Sequence, residues 1–133
     1  MKKIQKFLTF GFYLANLILI ILYLYPGSIL GCFLYDAGCF YDDRFIQPYI
    51  TKDFLISSNH FYMFVVLSII GILAYKNTKK INFLIKYLFL LSIILEFCHM
   101  FIPNRNFEIA DLFGNIIGVA VVVIIYKTKK EYE

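Results

Sequence analysis

Residues 95–118, LEFCHMFIPNRNFEIADLFGNIIG, decide how the rest of the chain is read. They set Glu96, His99, Arg105, Glu108, Asp111 and Asn115 across two apolar segments and the tight turn between them, Pro103-Asn104-Arg105-Asn106. Ionisable groups at membrane depth are costly, so they face a bundle interior or a wet cavity and mark a functional site. The remainder of the chain, rich in Ile, Leu, Phe, Val and Tyr, reads as scaffold for that cluster.

Helical spacing decides whether these groups meet. Ser92, Glu96, His99 and Pro103 follow one another at four, three and four residues, which puts them on one face of a helix. Glu108, Asp111, Asn115 and Gly118 follow a three-four-three pattern and form one stripe on the next. A turn this short makes the two helices antiparallel neighbours, so their polar edges are expected at similar depth. Arg105, in the turn above them, is expected to lower its guanidinium toward the carboxylates as a bidentate counter-charge.

Working outward, 61% of the 133 residues are hydrophobic and the mean hydropathy is +0.74. A soluble domain of this length cannot bury that much apolar surface, so the chain reads as an integral membrane protein. A membrane-crossing helix needs about 20 apolar residues. Four stretches qualify, about 7–25, 57–75, 81–102 and 107–126, which gives an all-α bundle of four transmembrane helices in a single domain. The first is too long for the core of a cleavable signal peptide and ends in Tyr25-Pro26-Gly27-Ser28 with no A-x-A pattern, so it is expected to be retained. No lipoprotein cysteine stands near Met1, and Lys2 excludes myristoylation.

Lysine and arginine in short loops favour the cytoplasmic side. Lys2, Lys3 and Lys6 precede the first span, Lys76, Lys79 and Lys80 lie between the second and third, and Lys127, Lys129 and Lys130 follow the fourth. Both termini are therefore expected in the cytoplasm, and residues 26–56 form a long outer loop. Basic residues in short clusters between apolar runs argue against a nucleic-acid partner.

The outer loop is aromatic and mildly acidic, with Asp36, Asp42, Asp43 and Asp53 against Arg44 and Lys52, and is expected to lie on the membrane surface. Cys32 and Cys39 flank a turn-forming Tyr35-Asp36-Ala37-Gly38, so a disulfide between them and two free thiols are both open readings. Cys98 reads as a small apolar packing residue. No CxxC pair supports a thiolate zinc site. His60 opens the second span after Ser57-Ser58-Asn59, a good capping segment, and either snorkels there or joins the polar cluster. Asn16 reads as an interhelical hydrogen-bonding group. Gly114 and Gly118 form a GxxxG pair expected to serve packing within the bundle.

With these residues placed, Glu96-x-x-His99, Pro103-x-Arg105 and Asp111-x-x-x-Asn115-x-x-Gly118 resemble the signature of the VanZ-like membrane proteins, whose namesake confers low-level resistance to the glycopeptide teicoplanin. The family block runs roughly E-x-x-Q, P-G-R and D-x-x-x-N-x-x-G, with an earlier D-K-x-x-H-F opening the second helix. Here His99 stands at the Gln position and Asn104 at the Gly position. His60-Phe61 match the earlier block, while Ile56 and Ser57 stand where Asp and Lys belong. The resemblance covers about the last third of the chain and the start of the second span. It implies a multi-pass protein of the bacterial plasma membrane acting in the cell envelope, with lowered glycopeptide susceptibility as its readout.

Three functions fit these residues. The adopted reading is a non-enzymatic protein that binds an anionic headgroup or lipid-linked cell-wall precursor, besides its membrane lipid, through an outward polar site of Glu96, His99, Arg105, Asp111, Asn115 and His60. No cofactor or metal is expected under it. The second is an intramembrane metal-dependent hydrolase or lipid-modifying enzyme, since His60, Glu96, His99 and Asp111 make a zinc-capable donor set. The third is a structural network that fixes helix pairing, with function in the outer loop or in a partner.

Overall fold

A computed structural model describes residues 2–25, 57–103 and 105–132. Among them the chain forms α1 (Lys2–Leu24), α2 (Ser58–Tyr75), α3 (Ile81–Cys98), a short 3₁₀ turn (His99–Phe101) and α4 (Ile109–Glu131). All four α-helices are long and apolar enough to cross a membrane, with mean hydropathies of 1.5 to 2.2. Only 17% to 39% of each apolar window is buried inside the bundle. Large side chains such as Phe7, Phe10, Phe83, Phe101 and Ile124 stay exposed on the outside, and acyl chains are the solvent that tolerates such a surface.

The helices differ from their expected spans at the ends. α1 starts before residue 7 and α4 runs past residue 126 because lysines are good helix formers whose stems lie along apolar surface while their ammonium groups reach water. α3 closes at Cys98 and tightens into the 3₁₀ turn, where the 81–102 span predicts one continuous helix. The cause is Pro103: the residue before a proline is driven out of the helical region, and Ile102 is extended at φ −98°, ψ 127°. Residues 26–56, with Cys32 and Cys39, lie outside the described residues.

Close backbone approach sets the principal helix contact, between α2 and α4. A Cβ at Gly114 would come within 2.7 Å of the Ser57 carbonyl oxygen, and one at Gly118 within 2.6 Å of the Phe61 carbonyl oxygen. Only hydrogen fits there, and the pairing of 114 with 57–61 and of 118 with 61–65 makes α2 and α4 parallel. The Ser57 amide donates to the Ala110 carbonyl at 3.1 Å, tying the start of α2 to the start of α4. Phe64, Leu67, Leu88 and Val119 fill the space between helices, each 2% exposed or less.

Alternating chain direction then gathers the ends. Tyr23 near the end of α1, His60 at the start of α2, Glu96 near the end of α3 and Asp111 at the start of α4 share one end of the bundle. The other end holds the α2–α3 turn, closed by the Thr78 hydroxyl on the Tyr75 carbonyl at 2.8 Å. Gln5 meets Ala74 there, and the lysines at 76, 79 and 80 sit in that turn.

Candidate functional site

Glu96 is the centre of the polar end. It is fully buried, and its Oε1 accepts the backbone amide of Glu108 at 3.1 Å while lying 3.3 Å from His99 Nδ1. Its Oε2 accepts from Asn115 Nδ2 at 3.4 Å and lies 3.9 Å from His60 Nδ1. A carboxylate held by partners from both neighbouring helices is immobile, so it can act as a fixed charge. His60 Nε2 faces Asp111 Oδ2 at 3.3 Å; these two side chains are 18% and 17% exposed, and they are the rim through which the site meets its surroundings.

Tyr23 closes the network from α1. Its hydroxyl donates to Asn115 Oδ1 at 2.7 Å and lies 3.0 Å from His60 Nδ1, while its backbone carbonyl faces His99 Nε2 at 3.1 Å. Sequence reasoning overlooks Tyr23, because a tyrosine near a span end looks like any interfacial ring. Its one distinguishing signal is placement on the same end as the acids. Asn115 Nδ2 also donates to the Ser92 carbonyl at 3.3 Å. That fixes the amide orientation, since the nitrogen faces two acceptors and the oxygen faces a hydroxyl.

Several expected positions change. Arg105 does not reach down to the carboxylates: its Nε and Nη2 donate to the carbonyls of Tyr25 and Leu22, each at 3.4 Å. The end of α1 leaves carbonyls without intrahelical partners, and a guanidinium is well suited to them. Glu108 contributes its amide rather than its side chain, which is exposed just before α4. Ser57 holds the N-cap position of α2 without a side-chain cap bond. Pro103 lies past the helix and is exposed, whereas Ser92, Glu96 and His99 are buried together. Asn16 donates to the Tyr87 hydroxyl, an interhelical contact remote from this end.

A sequence model of the VanZ/LLP1 family matches residues 10–130. The chain belongs to the VanZ/LLP1 family. Comparison with curated proteins and with solved structures gives no match. In this VanZ/LLP1 protein Glu96, Asp111, Asn115 and His60, drawn from three helices, lie within one bonded network.

Donor and acceptor counting orients the rings of this network. The Tyr23 hydroxyl has one proton, and it goes to Asn115 Oδ1 because the Asn115 nitrogen is already a donor. His60 Nδ1 must therefore carry a hydrogen for Tyr23, which turns its Nε2 toward the Asp111 carboxylate. His99 Nε2 faces a carbonyl and must likewise carry a hydrogen, which turns its Nδ1 toward Glu96. Each histidine thus presents its second ring nitrogen to a carboxylate oxygen.

Proposed function

We propose that this VanZ/LLP1 protein acts in the bacterial cell envelope by holding an anionic headgroup, of the kind carried by a lipid-linked cell-wall precursor, at its polar end, and that occupancy lowers susceptibility to teicoplanin. The carrying observation is the convergence of Tyr23, His60, Glu96, Asp111 and Asn115 from four helices. The excess of lysine at the opposite end supports placing the polar end outside and both termini inside. Binding is favoured over catalysis because Glu96, the best-placed base, already accepts an N–H bond at each oxygen and is held in place by it, though lone pairs remain.

An anion approaching two carboxylates needs a counter-charge. Arg105 sits at the rim with two of its N–H donors on carbonyls, out of five in a guanidinium. Expression in a glycopeptide-susceptible host, with photo-crosslinking to lipid-linked precursor, tests the reading. Wild type is expected to raise the tolerated teicoplanin concentration and to crosslink, and Asp111→Asn to lose both at unchanged membrane abundance. Equal behaviour of wild type, Asp111→Asn and empty vector would overturn it.

A further inference from the structure

His60, Glu96 and Asp111 each offer one ligand-capable atom, all within 4.8 Å of one another. They come from α2, α3 and α4, so the set exists only in the assembled bundle. We propose that these three residues bind one divalent transition-metal ion of the zinc class, and that its open coordination position receives an oxygen of the anionic headgroup; the second half of this rests on the envelope reading above.

Three observations carry it. First, the His60 tautomer set by Tyr23 aims a lone pair at Asp111 across 3.3 Å. Ligands at about 2.0–2.1 Å on a tetrahedral ion stand about 3.3 Å apart, a spacing that the His60–Asp111 pair already accommodates. Second, the outer shell is complete. His60 Nδ1 is engaged by Tyr23, whose hydroxyl is held by Asn115, and the far oxygen of Glu96 is held by the Glu108 amide and His99. Metal-binding imidazoles and carboxylates are ordinarily oriented in this way. Third, Glu96 is buried while His60 and Asp111 are partly exposed, which gives an ion a path in and leaves a side open. One imidazole with two carboxylates selects a zinc-like ion over magnesium or calcium, which prefer oxygen cages.

His99 lies outside this trio. Its contact with Glu96 makes it a positioning residue and not a ligand. A dication at the trio also resolves the electrostatics of the proposed function, because it supplies the positive charge that two carboxylates otherwise deny to a phosphate.

The full chain, purified in detergent without a histidine tag and freed of metal by chelator, would be titrated with Zn²⁺ and Co²⁺, and bound metal counted after dialysis. One ion per wild-type chain is expected, with tetrahedral cobalt absorption. Asp111→Asn and His60→Ala should weaken binding at least 100-fold, and His99→Gln by about 10-fold, the scale of outer-shell effects. Inorganic pyrophosphate should perturb the cobalt spectrum of wild type and not that of Asp111→Asn. Folded wild type that holds no stoichiometric metal overturns the site, and so does Asp111→Asn that binds as wild type does; a melting transition shared with wild type certifies the variant. Metal binding without any teicoplanin effect would uphold the site and remove the envelope role. A teicoplanin effect without metal binding would do the opposite.

Discussion

The two halves of the bundle treat buried polarity differently. At the polar end, Glu96, His99 and Asn115 are buried and each polar side-chain atom has a partner drawn from another helix or the adjoining turn. Toward the lysine-rich end, Asn16 donates to Tyr87 while its Oδ1 is left unsatisfied, and mid-helix Ser68 Oγ is in the same position. A half-satisfied polar group is a cost that packing carries, whereas a fully connected network specifies how helices meet. The contrast shows which polar residues the fold depends on and which it tolerates.

Variants can break that contrast, beginning with the largest effect. Glu96→Ala removes the acceptor shared by Asn115, His99 and the Glu108 amide, and is expected to cost about 3–5 kcal/mol, read as a lost or strongly lowered unfolding transition in detergent. Gly118→Ala forces a methyl group within 2.6 Å of the Phe61 carbonyl, for an expected loss of about 1–3 kcal/mol. At Gly11 an added methyl group would meet nothing within 4 Å, so Gly11→Ala should stabilise by up to about 1 kcal/mol through helix propensity. Thermal shifts of opposite sign at the two glycines would confirm that the α2–α4 contact, and not glycine content, holds the bundle.

Smaller effects sharpen the comparison. Tyr23→Phe should lower stability by about 1 kcal/mol, because Asn115 Oδ1 and His60 Nδ1 both lose a partner in a dry site. Asn16→Leu should leave stability within about 1 kcal/mol of wild type, since the Tyr87 bond it forfeits is offset by removal of an unsatisfied oxygen. A melting temperature that falls further for Asn16→Leu than for Tyr23→Phe would reverse the assignment of the two regions.

The helices were legible in the sequence because a span must be long and apolar, and few other segments satisfy both conditions. Glu96, His99, Asp111 and Asn115 were legible for the complementary reason, that polar residues among Ile, Leu and Phe are rare enough to be counted. Tyr23 was hidden because its role lies in one hydroxyl on a residue type common near membrane interfaces. Arg105 was misplaced because its acceptors are the carbonyls of residues 22 and 25, and backbone acceptors carry no signal in side-chain identity. Glu108 fits the polar stripe by spacing, yet takes part through its amide. Steric and main-chain terms decided these cases, and residue type records neither.

The central claim is that acids, bases and amides from separate helices form one connected network, and the bond from Tyr23 on α1 to Asn115 on α4, 2.7 Å long and 92 residues apart in sequence, is its most direct representative. A double-mutant cycle of Tyr23→Phe and Asn115→Ala, measured by reversible unfolding in detergent, isolates that link. The network predicts a coupling energy of about 1 kcal/mol or more, while losses that add to within about 0.3–0.5 kcal/mol would show that the two side chains do not meet.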